Sequence, residues 1–131
     1  MASAQQKVLI VEDDAFLAGI YSSKFQSEGF AVDHAGDGEE ALKLAQKVPD
    51  IILLDILLPK MDGFEVLKHL KKDAKTKDIP VILLTNLGQK SDVEFGLKQG
   101  AVDYLIKAHF MPQETVDKVK KVLAGVSATS K

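Results

Sequence analysis

The sequence contains no cysteine, which excludes a disulfide framework and any thiolate metal site. It also lacks long apolar stretches. Aliphatic runs such as Ile51 to Leu54 are far below the roughly 20 residues that cross a bilayer. The opening residues, MASAQQK, lack the apolar core of a secretory signal. Excess positive charge is missing too: 17 Lys and Arg stand against 19 Asp and Glu, a net charge of −2, and a nucleic-acid surface needs a basic patch. These absences predict a soluble, cytoplasmic protein with no membrane and no nucleic-acid partner. What is present suffices for one domain. The chain has 131 residues, 46% of them hydrophobic, enough for a real core.

Short apolar runs alternate with longer amphipathic stretches. Val8–Val11 reads as a buried strand ending in acid. Asp14 to Glu28 carries Leu17, Tyr21 and Phe25 at helical spacing and is closed by Gly29. Ala31 to Ala35 is a second strand. After a turn at Gly36-Asp37-Gly38, Glu39 to Lys47 presents Ala41, Leu42 and Ala45 on one helical face. Ile51 to Asp55 is apolar until its last residue, as a strand covered on both faces is. Pro59, Asp62 and Gly63 mark a loop before a helix over Phe64 to Lys72, and Val81 to Leu84 is a fourth strand. Ser91 with Glu94 has the spacing of a capping box, opening a helix that ends near Gly100. Asp103 to Ile106 is a fifth strand. Pro112 suits the first turn of a last helix, with Val116, Val119, Lys120 and Leu123 roughly on one side. The domain core spans about 7–124, and 125–131 is expected to fray. Alternating strands and helices imply an α/β fold: a five-stranded parallel sheet with right-handed crossovers and helices on both faces.

In such sheets the functional crevice lies at the carboxyl ends of the strands, at a topological switch point. Strand 1 ends in Glu12-Asp13-Asp14, strand 3 in Asp55, strand 4 in Thr85 and strand 5 in Lys107. If strands 1 and 3 are neighbours, Glu12, Asp13 and Asp55 converge. Crowded carboxylates raise one another's pKa unless a cation neutralises them. All-oxygen donors without His or Cys suit a hard ion, and an open site with few carboxylates suits Mg²⁺. Lys107 offers a point charge and Thr85 a hydrogen-bond donor, which is what a transferred phosphoryl group needs. Aspartate is a phosphoryl nucleophile. Taken singly, these residues have plainer readings: Asp14 as a helix N-cap, Thr85 as a strand-end cap, Lys107 as a solvated lysine, Tyr104 as half-buried packing. Their order along successive strand ends is what outweighs those readings.

The segments LIVEDD (9–14), LLDILLPKMDGFEVL (53–67), LLT (83–85) and GAVDYLIK (100–107) resemble, together and in order, a response-regulator receiver domain of two-component signalling. The likeness runs from Lys7 to about Ala124. It implies a flavodoxin-like strand order, 2-1-3-4-5. It implies that Asp55 accepts a phosphoryl group from a phosphohistidine on a sensor histidine kinase or a histidine phosphotransfer protein. Asp13, Asp55 and the backbone carbonyl of Leu57 would hold Mg²⁺ directly, with Glu12 acting largely through water. Thr85 and Lys107 would clamp the phosphoryl oxygens, and Tyr104 would swing inward as Thr85 moves. The face of helix 4, strand 5 and helix 5 would then meet a downstream protein partner differently. The protein would be a monomer or weak dimer, and no enzyme beyond phosphoryl transfer to and hydrolysis from its own Asp55.

Three positions depart from the family pattern. Asn86 stands where a smaller residue is common, narrowing access to Asp55. Ala108 follows Lys107 where proline is usual, and a cis bond there costs about 3–4 kcal/mol without proline. Met111 stands where Ser or Thr often caps the last helix. Leu57 and Leu87, apolar at positions that flank the path of a hydrolytic water, predict a long-lived phosphorylated form. Phe95 points away from an inward stripe of Val93, Gly96, Leu97 and Gly100, which predicts its exposure on the partner face. A Mg²⁺-dependent phosphatase usually carries a second acid two residues after its nucleophile, where this chain has Leu57. A flavodoxin-like electron carrier would need a phosphate loop where this chain has Glu12-Asp13-Asp14. A receiver that binds partners without phosphorylation is disfavoured by the intact acid, Thr and Lys set. About two dozen residues follow Lys107, enough for one helix and no output module. Output is then protein contact if the chain is complete, or lies elsewhere if it is a piece of a longer regulator.

Overall fold

The computed structural model describes residues 5–85, 90–107 and 112–128, the last three by backbone alone. Strands β1 (Lys7–Val11), β2 (Ala31–Ala35), β3 (Ile51–Asp55), β4 (Val81–Thr85) and β5 (Asp103–Ile106) alternate with helices α1 (Ala15–Ser27), α2 (Gly38–Ala45), α3 (Gly63–Lys72), α4 (Lys90–Lys98) and α5 (Pro112–Ala128). All strand pairs are parallel, in the order β2-β1-β3-β4-β5. The chain leaves β1 for β2 on one side and returns to β3 on the other, so the switch point falls between β1 and β3.

The central strands are apolar except at their ends because both faces are covered, yet their side chains still alternate with period two. Leu9, Val11, Ile52, Leu54, Val81 and Leu83 face one core with Ala41 and Ala45 of α2 and Val66, Leu67 and Leu70 of α3. Val8, Ile10, Ile51, Leu53, Ile82 and Leu84 face the other with Tyr21 and Phe25 of α1 and Val116 and Val119 of α5.

Helix ends follow local chemistry. Asp14, Asp37 and Asp62 cap α1, α2 and α3, each side chain accepting the amide three residues on. Asp14 is thus the N-cap, and α1 starts one residue later than the periodicity suggests. Gly29 is left-handed (φ 95°) after α1. The amides of Gly29 and Phe30 return to the carbonyls of Gln26 and Phe25, and the Phe25 and Phe30 rings meet edge to face at 5.4 Å. That is a Schellman stop with its apolar contact.

Several expected details fail for identifiable reasons. Helix α2 ends at Ala45, short of Lys47, because Val48 turns left-handed (φ 56°). Lys90 is already helical, so Ser91 lies inside α4 and does not cap it. Leu97 is 38% exposed and leaves the inward stripe, in which Val93 and Gly96 are buried. Lys120 does not share the buried side of α5 with Val116 and Val119; its ammonium reaches Glu28 Oε1 at 2.8 Å. The expectations for Asn86, Leu87, Ala108 and Met111 lie outside the described residues.

Candidate functional site

Strand β1 pairs with β3 up to Val11 and Leu54, so the next residue of each, Glu12 and Asp55, emerges at the same sheet edge. Carboxylate oxygens of Glu12, Asp13 and Asp55 all lie within 4.8 Å of one another. Glu12 and Asp55 are buried and Asp13 is exposed. On the other side of β3, Asp55 sits beside Leu84 of β4, and Thr85, buried, beside Ile106 of β5. Lys107 therefore leaves β5 toward the crevice. Its ammonium is 2.7 Å from Asp55 Oδ2 and 2.8 Å from Glu12 Oε1. Sequence reasoning placed Lys107 on phosphoryl oxygens; in this state it lies against the two buried carboxylates.

The loop after β3 holds Asp55 in place. The Leu57 amide donates to Asp55 Oδ1 at 3.1 Å, and the Gly63 amide to the Ile56 carbonyl at 2.8 Å. A Cβ on Gly63 would stand 2.4 Å from the Asp55 carbonyl oxygen and 2.7 Å from Ile56 Cα, so only glycine lets the loop fold back this closely. Lys60, at the tip, is left-handed (φ 68°) and its ammonium is 3.5 Å from Asp37. The Leu57 side chain is exposed.

The electrostatics follow from burial. Burial pushes the Glu12 carboxyl above its ordinary value and the charge of Asp55 adds to this, while Lys107 and the Asp14 amide pull it back. Burial alone would lower the Lys107 amine; its contacts with Asp55 and Glu12 outweigh that and hold it above its usual value. Under the site, the Tyr21 hydroxyl is pushed up to about 12 by burial, with Glu12 and Asp55 adding to the shift.

Whether Mg²⁺ fits can be judged from the donors. Three carboxylates meet one ammonium, leaving negative charge uncompensated. The one Lys107 ammonium beside Glu12 Oε1, at 2.8 Å, is shared with Asp55 at 2.7 Å. An oxygen-only cluster whose three carboxylates share one ammonium, open on the Asp13 side, fits a hard divalent ion.

Tyr104 of β5 stands apart from this cluster. It is 37% exposed, with the Lys118 ammonium 5.8 Å from its ring centroid. Phe95 of α4 is 48% exposed, as expected, but its ring also meets the edge of Phe64 on α3 at 4.9 Å. Sequence reasoning missed two residues near the site. Tyr21 was read only as helix packing. His34, next to last in β2, brings Nε2 to 2.7 Å from the Glu12 carbonyl oxygen. The rule that singled out strand ends, applied to β2 as well, would have found it.

Comparison with known proteins agrees with this geometry. Residues 8–120 match the family described as the response regulator receiver domain. Over 118 residues the chain is 42% identical to RpaA of Synechocystis, a DNA-binding dual master transcriptional regulator, covering 89% of this chain and 48% of that protein. The chain spans about half the length of the curated relatives it matches. It is similar to the chemotaxis response regulator CheY4 of Vibrio cholerae, with a TM-score of 0.84, 32% identity, and coverage of 91% of this chain and 99% of that one. It is also similar to the receiver domain of the sensor histidine kinase PA1611 of Pseudomonas aeruginosa, solved with a magnesium ion in its active-site cleft. There the TM-score is 0.83 at 29% identity, covering 92% of this chain and 99% of that one.

Proposed function

The chain belongs to the response regulator receiver family, and from that premise we propose that it is a single receiver domain switched by phosphorylation of Asp55. The observation that carries this reading is the ammonium of Lys107 held at 2.7 Å from a buried aspartate inside a cluster of carboxylates. The phosphoryl donor is a phosphohistidine of a sensor kinase or phosphotransfer protein. An Asp55 oxygen forms the new P–O bond as the P–N bond to the donor imidazole breaks, and the imidazole keeps the electron pair. Bound Mg²⁺ supplies neutralising charge to the carboxylates and to the phosphoryl oxygens. Asp13, Asp55 and the Leu57 carbonyl would hold it, with Glu12 acting through water. Lys107 exchanges a carboxylate contact for a phosphoryl oxygen, and the Thr85 hydroxyl donates to another. Such transfer needs little beyond positioning and charge stabilisation. Hydrolysis of its own aspartyl phosphate completes the cycle.

Output is a population shift, biased by the new charge contacts. Thr85 is drawn to the phosphoryl group and Tyr104, now partly exposed, turns inward. This remodels the face formed by α4, β5 and α5, where Phe95 is also exposed. The curated relatives are transcriptional regulators about twice as long. For a whole protein of that kind, DNA contact would fall to the other half, and the receiver itself meets protein partners. A cytoplasmic location belongs to the same reading, and among the described residues no helix is long and apolar enough to cross a membrane.

The test is incubation with Mg²⁺ and acetyl phosphate, followed by intact-mass measurement. Wild type gains one phosphoryl group. Asp55→Asn gains none and keeps its fold by circular dichroism. Uptake by the mutant equal to wild type would overturn the assignment of Asp55. No uptake by either protein would leave a receiver that signals without phosphorylation.

A further inference from the structure

We infer that His34 is a positioning residue for the metal site, locking the Glu12–Asp13 peptide so that the exposed Asp13 carboxylate is presented to Mg²⁺. The inference rests on the reading of the acidic cluster as a Mg²⁺ site.

Strands β1 and β2 form a parallel ladder that ends at Val11 and Ala35. Its last rung is the Glu12 amide donating to the Ala35 carbonyl at 3.0 Å. In a continued ladder, the Glu12 carbonyl would next accept the amide two residues beyond Ala35. That residue is Asp37, and there the chain has already turned away to cap α2. The turn is fixed by its own contact, the Gly36 amide on Glu40 Oε1 at 2.9 Å. A side chain fills the place of the missing rung: His34 Nε2 lies 2.7 Å from the Glu12 oxygen. A carbonyl oxygen only accepts, so Nε2 carries the hydrogen. Glu12 is then held to β2 through both its amide and its carbonyl.

The same peptide leads into Asp13. Within the acidic cluster Glu12 and Asp55 are buried, whereas Asp13 projects into solvent. The surrounding core packs around Glu12 and Asp55, so their orientation is fixed from several sides. The direction in which Asp13 leaves the sheet is set chiefly by the plane of the peptide before it. His34 itself is exposed, so its removal subtracts little packing. That combination, small structural weight with a direct hold on the backbone of a ligand, distinguishes a positioning role from a structural one.

Partners one step removed from a metal typically change its affinity 10–100-fold. Isothermal titration with Mg²⁺ alone is therefore run on wild type, Asp13→Asn, His34→Ala and His34→Gln, with urea midpoints measured on all four. Gln carries an amide N–H at about the reach of Nε2, whereas Ala carries no donor. Expected are about tenfold weaker Mg²⁺ binding in His34→Ala, recovery in His34→Gln, and urea midpoints near wild type for both. Phosphorylation of His34→Ala by acetyl phosphate should slow at low Mg²⁺ and return at saturating Mg²⁺. Unchanged affinity in His34→Ala overturns the inference, and so does failure of Gln to restore it. If wild type shows no Mg²⁺ binding that Asp13→Asn weakens, the underlying metal site itself fails, and the role of His34 falls with it.

Discussion

Replacing Lys107 by Met isolates the electrostatics of the site. The Lys107 ammonium is 2.7 Å from Asp55 and 2.8 Å from Glu12, and the three side chains are 16%, 4% and 1% exposed. Methionine keeps the apolar stem and removes the charge, so two buried carboxylates lose their counter-ion. Breaking a buried pair by deleting one partner costs about 3–5 kcal/mol. The lower end applies here, because solvent enters beside Asp13 and a carboxylate can take up a proton instead of staying charged. With a urea slope of about 2 kcal/mol per molar, a loss of about 3 kcal/mol lowers the midpoint by about 1.5 M. The control is Asp55→Asn. In wild type it leaves the Lys107–Glu12 pair in place and removes one crowded carboxylate, so metal-free stability stays level or rises. In the Lys107→Met background the same change removes half of an uncompensated pair and should restore about 1–2 kcal/mol, a coupling within the range that contacting residues show. The pH dependence has a definite sign. The Glu12 carboxyl is raised above its ordinary 4.5 in the fold. Its contribution is therefore fully present below that value and is lost as pH rises through the folded pKa. Removing Lys107 enlarges the rise, so metal-free Lys107→Met gains stability on acidification through this window, relative to wild type. The assay is urea unfolding followed by far-ultraviolet circular dichroism, in EDTA, for the four proteins of the cycle. A midpoint shift under about 0.3 M, equivalent to about 0.6 kcal/mol at that slope, would refute the reasoning. So would an equal effect of Asp55→Asn in both backgrounds.

Gly63→Ala forces a Cβ against the Asp55 and Ile56 backbone, where no side chain can yield. It should cost about 3 kcal/mol by urea unfolding and slow phosphorylation of whatever remains folded; near-wild-type values in both would count against the tight-loop account. Asp37 caps α2, and the Glu40 amide first, then Lys60, holds its carboxyl below the ordinary 3.8. Its contribution is present above that pH and lost as pH falls through the folded value, so Asp37→Asn, which still caps but cannot titrate, should flatten the acid side of a plot of Tm against pH. The exposed, apolar Leu57 beside Asp55 offers no hydrogen bond to a hydrolytic water. Leu57→Asn should therefore shorten the phosphorylated lifetime several-fold, read by intact mass after donor removal, and an unchanged decay would remove Leu57 from the account.

The order of elements and the chemistry at strand ends were both legible in the amino-acid sequence, for local reasons. Ile51 to Leu54 has the length and apolar content of a strand covered on both faces, Gly29 is a good helix stop, and acid, hydroxyl and lysine at successive strand ends point to one crevice. The helix ends at Ala45 and before Lys90 were not legible. The first depends on Val48 turning left-handed, a choice made by neighbouring structure against local propensity. The period-two split of the central strands into two cores was open as well, since an unbroken aliphatic run gives no hint of which residue faces α1 and which faces α3. Nor could the sequence pair Lys107 with Glu12 and Asp55 across three strands, bring Phe95 onto Phe64, or turn His34 toward the Glu12 carbonyl. Those contacts arise only when a parallel sheet fixes which strand ends are adjacent and where its ladder stops. Residue type and spacing decide what a segment can become, and the register of the sheet decides which of its side chains meet.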